Sequence, residues 1–86
     1  MSVRTANIRL YTQREIADAL GITARVVALR AQRGRPRKRE TPWPVAERIA
    51  VRGGYAIRHD YASLPPDVRQ ALDEREAQQR RERALV

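Results

Sequence analysis

Gly21, inside the stretch "TQREIADALGITARVVALRAQRG" (residues 12–34), constrains this chain more than any other position. A glycine there supplies the left-handed backbone that ends a helix, and Thr23, two residues on, is a good N-cap for the next one. The stretch therefore reads as two short helices joined by a tight turn. Thr12 and Glu15 stand at capping-box spacing, so hydroxyl and carboxylate can satisfy the free N–H groups at the first helix start. Ile16, Ala17 and Leu20 fall on one face of that helix, and Ile22 is expected to pack in the turn. The second helix is predicted from Ala24 to about Gln32. Val26, Val27 and Leu29 are expected to face inward, and Gly34 ends it. Thr23, Arg25, Ala28 and Gln32 are then its outward positions.

A helix pair needs a core, and the material for one is lean. The 86 residues include no Phe and no Cys, so one small domain must be built from Leu, Ile, Val, Ala and the single Trp43. Without cysteine there is no disulfide framework, Cys-rich zinc site or thiol nucleophile, which points to a reducing, intracellular home. No apolar run approaches the ~20 residues needed to span a bilayer, and no leader opens the chain. A soluble cytoplasmic protein is expected, nucleoid-associated in a bacterium or phage-encoded in its host.

The remaining elements are legible in outline. "IRLY" (8–11) alternates as a short strand, and residues before it show no periodicity. Pro42 and Pro44 flank Trp43 in a stiff segment, with Trp43 as a core plug. "ERIAVRGGYAIRHDY" (47–61) reads as a β-hairpin. A three-residue loop of Arg52, Gly53 and Gly54 would set Val51 opposite Tyr55 and Ile49 opposite Ile57, gathering the large apolar residues on one face that completes the core. "SLPPDVRQAL" (63–72) opens a third helix with prolines in its first turn, Asp67 near the positive end of the dipole, and Val68, Ala71 and Leu72 inward. From Asp73 to Arg83 nothing apolar exceeds Ala77 in size, so that stretch is a charged helical extension or a linker. Glu76 and Arg80 form a favourable i,i+4 pair within it. The expected organisation is a flexible end or short strand over 1–9, a domain over 10–72 and the extension over 73–86.

Charge points to the partner. The net charge is +8, from 18 basic and 10 acidic residues. Residues 1–39 hold ten cations against Glu15 and Asp18, while residues 40–86 hold eight of each sign. All of the excess therefore lies in the first half, as in a domain with one face turned toward a polyanion. On the second helix Arg25 and Gln32 are side-chain types that read guanine and adenine edges in a major groove, with Arg30 and Arg33 placed near phosphates. "RGRP" (33–36) matches the core of an AT-hook, an extended minor-groove segment, although Gln32 stands where the full core has Pro. Its neighbours make Arg33, Arg35, Arg37, Lys38 and Arg39 a basic run of seven positions. That run is either a groove-reaching arm or a solvated loop that adds counterion-release affinity. The hairpin adds Arg52, Gly53, Gly54, Tyr55 and Arg58. His59 is the only histidine and lacks a nearby nucleophile or second ligand, so it reads as a strand residue. No constellation supports catalysis, and no metal or cofactor is expected.

Taken together, "YTQREIADALGITARVVALRAQRG" followed by "VRGGYAIRHDYASLPPDVRQAL" resembles the Mu-type helix–turn–helix domain over roughly residues 10–72. That family supplies the N-terminal DNA-binding domain of Mu-like phage transposases and related phage repressors. The resemblance implies an α+β winged helix: two short helices, a basic loop, a β-hairpin wing and a C-terminal helix. It also implies specific binding of double-stranded DNA at a mobile-element end, enhancer or operator. The second helix would dock in the major groove and the wing in the adjacent minor groove. By that analogy Thr23, Arg25, Gln32 and Arg33 lie on the recognition helix, and Arg52, Gly53, Gly54 and Tyr55 on the wing. Residues 35–46 depart from the family pattern, being longer and more basic. Any catalytic domain of a larger transposase would lie outside these residues, and oligomeric state is left open. Excisionase and MerR-like regulators share the element order. A basic RNA-binding protein is the rival from another class, disfavoured by the small number of aromatics available to stack bases.

Overall fold

The computed structural model describes residues 9–85. Residues 1–8, including Ile8 of the expected strand, lie outside the described residues, as does Val86. The order of elements is β1 (Leu10–Thr12), α1 (Gln13–Leu20), α2 (Ala24–Arg33), β2 (Glu47–Val51), β3 (Gly54–Asp60) and α3 (Pro66–Ala84), an α+β arrangement. The strands form one antiparallel sheet in the order β1-β3-β2. Among the described residues no helix is long and apolar enough to cross a membrane.

Local chemistry explains the helix boundaries. Thr12 ends β1 and caps α1: its Oγ1 accepts the Glu15 N–H at 3.1 Å, and Glu15 Oε1 accepts the Thr12 N–H at 2.8 Å. Gly21, at φ 72°, closes α1 in the left-handed conformation. Thr23 then caps α2 by accepting the Val26 N–H at 3.3 Å. The prolines sit where a helix tolerates them, Pro65 as the N-cap of α3 and Pro66 at its first position.

The core is as small as the composition demands. Ile16 and Ala17 from α1, Val27 and Ala31 from α2, Trp43, Leu64, and Val68 and Leu72 from α3 are buried. Tyr11, Ala19, Leu20 and Tyr61 pack around them. Burial of Trp43 matches the reading of it as a plug. Three expectations for inward residues fail. Val26 and Leu29 are 49% and 42% exposed, and Ile22 is exposed as well. The α2 sequence is apolar on nearly every side, so hydropathy alone did not choose its inner face. Packing did: Val27 and Ala31 are buried in one cluster with Trp43, whose backbone N–H donates to the Ala31 carbonyl at 2.8 Å.

The hairpin register also differs from expectation. Val51 pairs with Gly54, Ala50 with Tyr55, Ile49 with Ala56 and Arg48 with Ile57. The loop is thus the two residues Arg52 and Gly53, with Gly53 at φ 89°. Arg52 keeps a negative φ while Gly53 takes the positive one, a combination that places glycine at the second loop position. The expected clustering of Ile49, Val51, Tyr55 and Ile57 on one face does not form. Instead Ile57 and buried His59 share the inner face, and the tip runs beyond the core, where its apolar residues need not align.

The third helix continues without a break through the expected boundary at 72. Its next turn is anchored. Arg9 donates to Asp73 at 3.1 Å and Glu76 at 2.8 Å, and lies 3.9 Å from the Tyr61 ring centroid. Tyr61 donates to Asp73 at 2.6 Å, which lifts the phenol above its ordinary range and lowers the carboxylate. Tyr11 donates to Glu76; burial and that carboxylate raise its pKa. Glu76 therefore binds Arg9 and Tyr11, and among the described residues no pairing with Arg80 accompanies this.

Candidate nucleic-acid interface

Successive helical residues turn by about 100°, so the buried pair Val27 and Ala31 fixes where everything else on α2 points. Opposite that pair lie Arg25, Leu29 and Gln32, with Arg33 beside them, all exposed. Arg25 and Gln32 thus stand on the outward face, as expected, and Leu29, expected inward, stands between them. No acidic residue occurs within α2. Thr23 serves as its N-cap, so its hydroxyl is engaged by the helix itself.

Arg30 differs from its neighbours. Only 12% of its side chain is exposed, because it faces α3 and the segment after α2. Its Nε and Nη2 donate to the two carboxylate oxygens of Glu40 at 2.9 and 2.8 Å, and Nη1 and Nη2 donate to Asp67 at 3.0 and 2.8 Å. The guanidinium also lies 5.3 Å from the Trp43 ring centroid. A phosphate contact was expected of Arg30; two carboxylates and a ring occupy that guanidinium in this fold.

Glu40 is the hub of this cluster. Its side chain, 9% exposed, accepts from Arg30, from Arg35 Nε at 2.9 Å and from Trp43 Nε1 at 3.1 Å. The Arg30 guanidinium is the main cause holding the Glu40 carboxyl below the usual carboxylate range, and it does the same to Asp67. In the sequence Asp67 reads only as a charge at the start of the third helix, and Glu40 carries no motif. One signal was available: Glu40 is the only acid between Asp18 and Glu47, and it directly follows the basic run.

The basic run is folded against this hub as a compact knuckle. Arg35 and Glu40 exchange both backbone hydrogen bonds, at 3.0 and 3.1 Å, around a single 3-10 turn at Pro36–Lys38. Arg39 takes the left-handed conformation at φ 57°. Gly34, at φ 71°, lies so close to the returning chain that a Cβ there would fall 2.2 Å from the Glu40 carbonyl oxygen. An AT-hook core is extended, and this one is not. Arg35 is tied to Glu40, with Asp67 at 3.5 Å. Arg33, Arg37, Lys38 and Arg39 are exposed and make no salt bridge among the described residues.

The two-residue hairpin loop redistributes the cations of the sheet. Arg58 lies opposite Glu47 and pairs with it at 3.1 Å on the outer face, away from α2. Arg48, opposite Ile57, takes the inner face instead. It lines a cleft of about 370 Å³ between α2 and the hairpin, facing Ala28 and Gln32 across it. Sequence reasoning missed Arg48 because a three-residue loop turns it outward. Arg52 and Gly53 form the exposed tip, followed by Gly54, and Tyr55 is 73% exposed next to them.

His59 closes the floor of that cleft. Its Nδ1–H donates to the Pro44 carbonyl at 2.7 Å, and Nε2 accepts from the Gln13 amide at 3.1 Å. Its ring meets Trp43 edge-on, with centroids 5.5 Å apart. It is a strand residue, as read from the sequence, and a core one. Among the described residues no group of three or more His, Asp or Glu could hold a metal ion.

Comparison of the chain with family models, with curated proteins and with solved structures returns no match.

Proposed function

We propose that this chain is a winged-helix domain of the Mu type that binds duplex DNA specifically, at an end, enhancer or operator of a mobile element. One observation carries the reading. Arg25, Arg33, Arg37, Lys38 and Arg39 are all exposed, and the segment over residues 24–39 that they occupy contains no acid. Paired residues on other elements hold much of the acidic charge, with Glu40 buried beneath the knuckle. A surface whose charges are all positive and mostly planar guanidinium groups suits a phosphate backbone.

In this reading α2 enters the major groove with Arg25 and Gln32 toward base edges. The hairpin tip, Arg52 with Gly53, Gly54 and Tyr55, lies along the neighbouring minor groove. Arg48 reaches phosphates from the cleft wall. The knuckle grips the backbone as a preformed clamp and does not thread a groove. Arg30 and Arg35 hold the clamp in place, and Arg58 stays with Glu47.

Selection from a random duplex library at near-physiological salt, with a structured-RNA pool as competitor, tests the proposal. An enriched consensus site is expected. Replacing Arg37, Lys38 and Arg39 with Ala should then weaken all duplexes alike and reduce the salt slope by about 0.9 for each phosphate no longer neutralised. Preferential retention of the RNA pool would overturn the reading.

A further inference from the structure

The centre of the outward α2 face is apolar. Leu29 and Val26 are large, 42% and 49% exposed, and held there by a helix whose opposite side is locked into the core through Val27 and Ala31. Arg25 and Arg33 lie four residues to either side of Leu29, and no acid interrupts the face. Among the described residues the fold leaves both side chains part-exposed, side by side on a face otherwise bearing Arg25, Gln32 and Arg33. Their exposure calls for an occupant that is apolar at the contact and anionic around it.

Two copies of this face do not meet that requirement, because each would press Arg25 and Arg33 against like charges. The major groove of duplex DNA does. Its one apolar feature is the C5-methyl group of thymine, framed by phosphates and by purine edges that Arg and Gln recognise. We infer that Leu29 and Val26 read C5-methylated pyrimidines, making them specificity-determining residues between the guanine- and adenine-reading positions. This rests on the duplex-binding reading above. Thymine and 5-methylcytosine present the same methyl group and are separated experimentally below.

The test uses one pool, a random duplex library enriched on the wild-type protein. It is re-amplified with dTTP, with dUTP in place of dTTP, or with 5-methyl-dCTP in place of dCTP. Deoxyuridine removes only the methyl group. Burying one methyl corresponds to about a fourfold change in affinity. Wild-type protein is therefore expected to bind the thymine pool about fourfold or more above the uracil pool, and Leu29→Ala and Val26→Ala to shrink that ratio toward one. Both side chains are exposed, and unchanged circular dichroism melts are the check that the variants fold. A gain on the 5-methylcytosine pool, abolished in Leu29→Ala, assigns the contact to any methylated pyrimidine; no gain restricts it to thymine. Equal wild-type binding to the thymine and uracil pools overturns the inference and leaves duplex recognition standing. A ratio that both variants retain overturns it too, placing the methyl contact elsewhere. Failure to retain any duplex pool defeats the duplex-binding reading itself. Self-association in sedimentation velocity, abolished by Leu29→Ala, would show instead that the ridge joins two copies.

Discussion

At the scale of single residues, Glu40 holds its network from a side chain only 9% exposed. It joins Arg30, Arg35 and Trp43 in one network, and Glu40→Ala would leave Arg30 with Asp67 alone. The expected loss is about 2–3 kcal/mol, read as a lower urea midpoint at unchanged slope; the remaining pair keeps it below the full cost of orphaning a buried charge. The carboxyl is held below its ordinary value, so its contribution is complete above the unfolded pKa of about 4.3 and disappears as pH falls through the lower folded value. Stability of the wild type should therefore drop on acidification below about pH 4, and Glu40→Gln should flatten that acid limb. The glycines give a paired prediction. Gly34→Ala meets the Glu40 carbonyl and a backbone region open almost only to glycine, so a cost of about 2–3 kcal/mol is expected. Gly21→Ala meets no atom within 4 Å and should cost only about 1 kcal/mol in the same melts.

Among the elements, what could be read from the sequence depended on whether the signal was local. Helix starts and stops were legible because Thr12, Glu15, Gly21, Thr23, Gly34 and the prolines act on their immediate neighbours. The inner face of α2 was not, because its choice of Ala31 over Leu29 depends on Trp43 arriving from a distant segment. Nor was the hairpin register: one residue in the loop decides the side of every strand residue, and the apolar pattern of a tip that overhangs the core carries no information about it. The basic run was legible as charge but not as shape, since the closing partner, Glu40, acts through its bonds to α2 and the knuckle. The register has a direct consequence for the proposed interface. Arg48→Ala should weaken duplex binding by roughly 1 kcal/mol, about fivefold, because that cation lines the cleft beside α2. Arg58→Ala should stay within about twofold in the same fluorescence titration, its partner being Glu47 on the far side. The opposite ranking would favour the three-residue loop.

For the molecule as a whole, α3 belongs to the domain further than its polarity suggested. Arg9, Tyr11 and Tyr61 bind Asp73 and Glu76, and Arg75 reaches the Glu15 carbonyl at 3.3 Å. A chain ending after Gln79 should melt within a degree or two of the full chain. One ending after Leu72 should fall by about 1–2 kcal/mol, roughly 5–15 °C, once these bonds are removed. Equal melting of both would return the segment after 72 to the status of a linker.

The closed knuckle also fixes what binding can cost. An unstructured arm of the same composition would give up about 1–2 kcal/mol for each residue it orders on meeting an anion. Here Gly34 and the Arg35–Glu40 bridge have already removed that freedom when the chain folds. In the proposed interface, the attraction of Arg37, Lys38 and Arg39 would therefore reach a polyanion without a disorder-to-order transition of this backbone. Association has little left to freeze in this segment, and its heat capacity change should reflect surface burial alone.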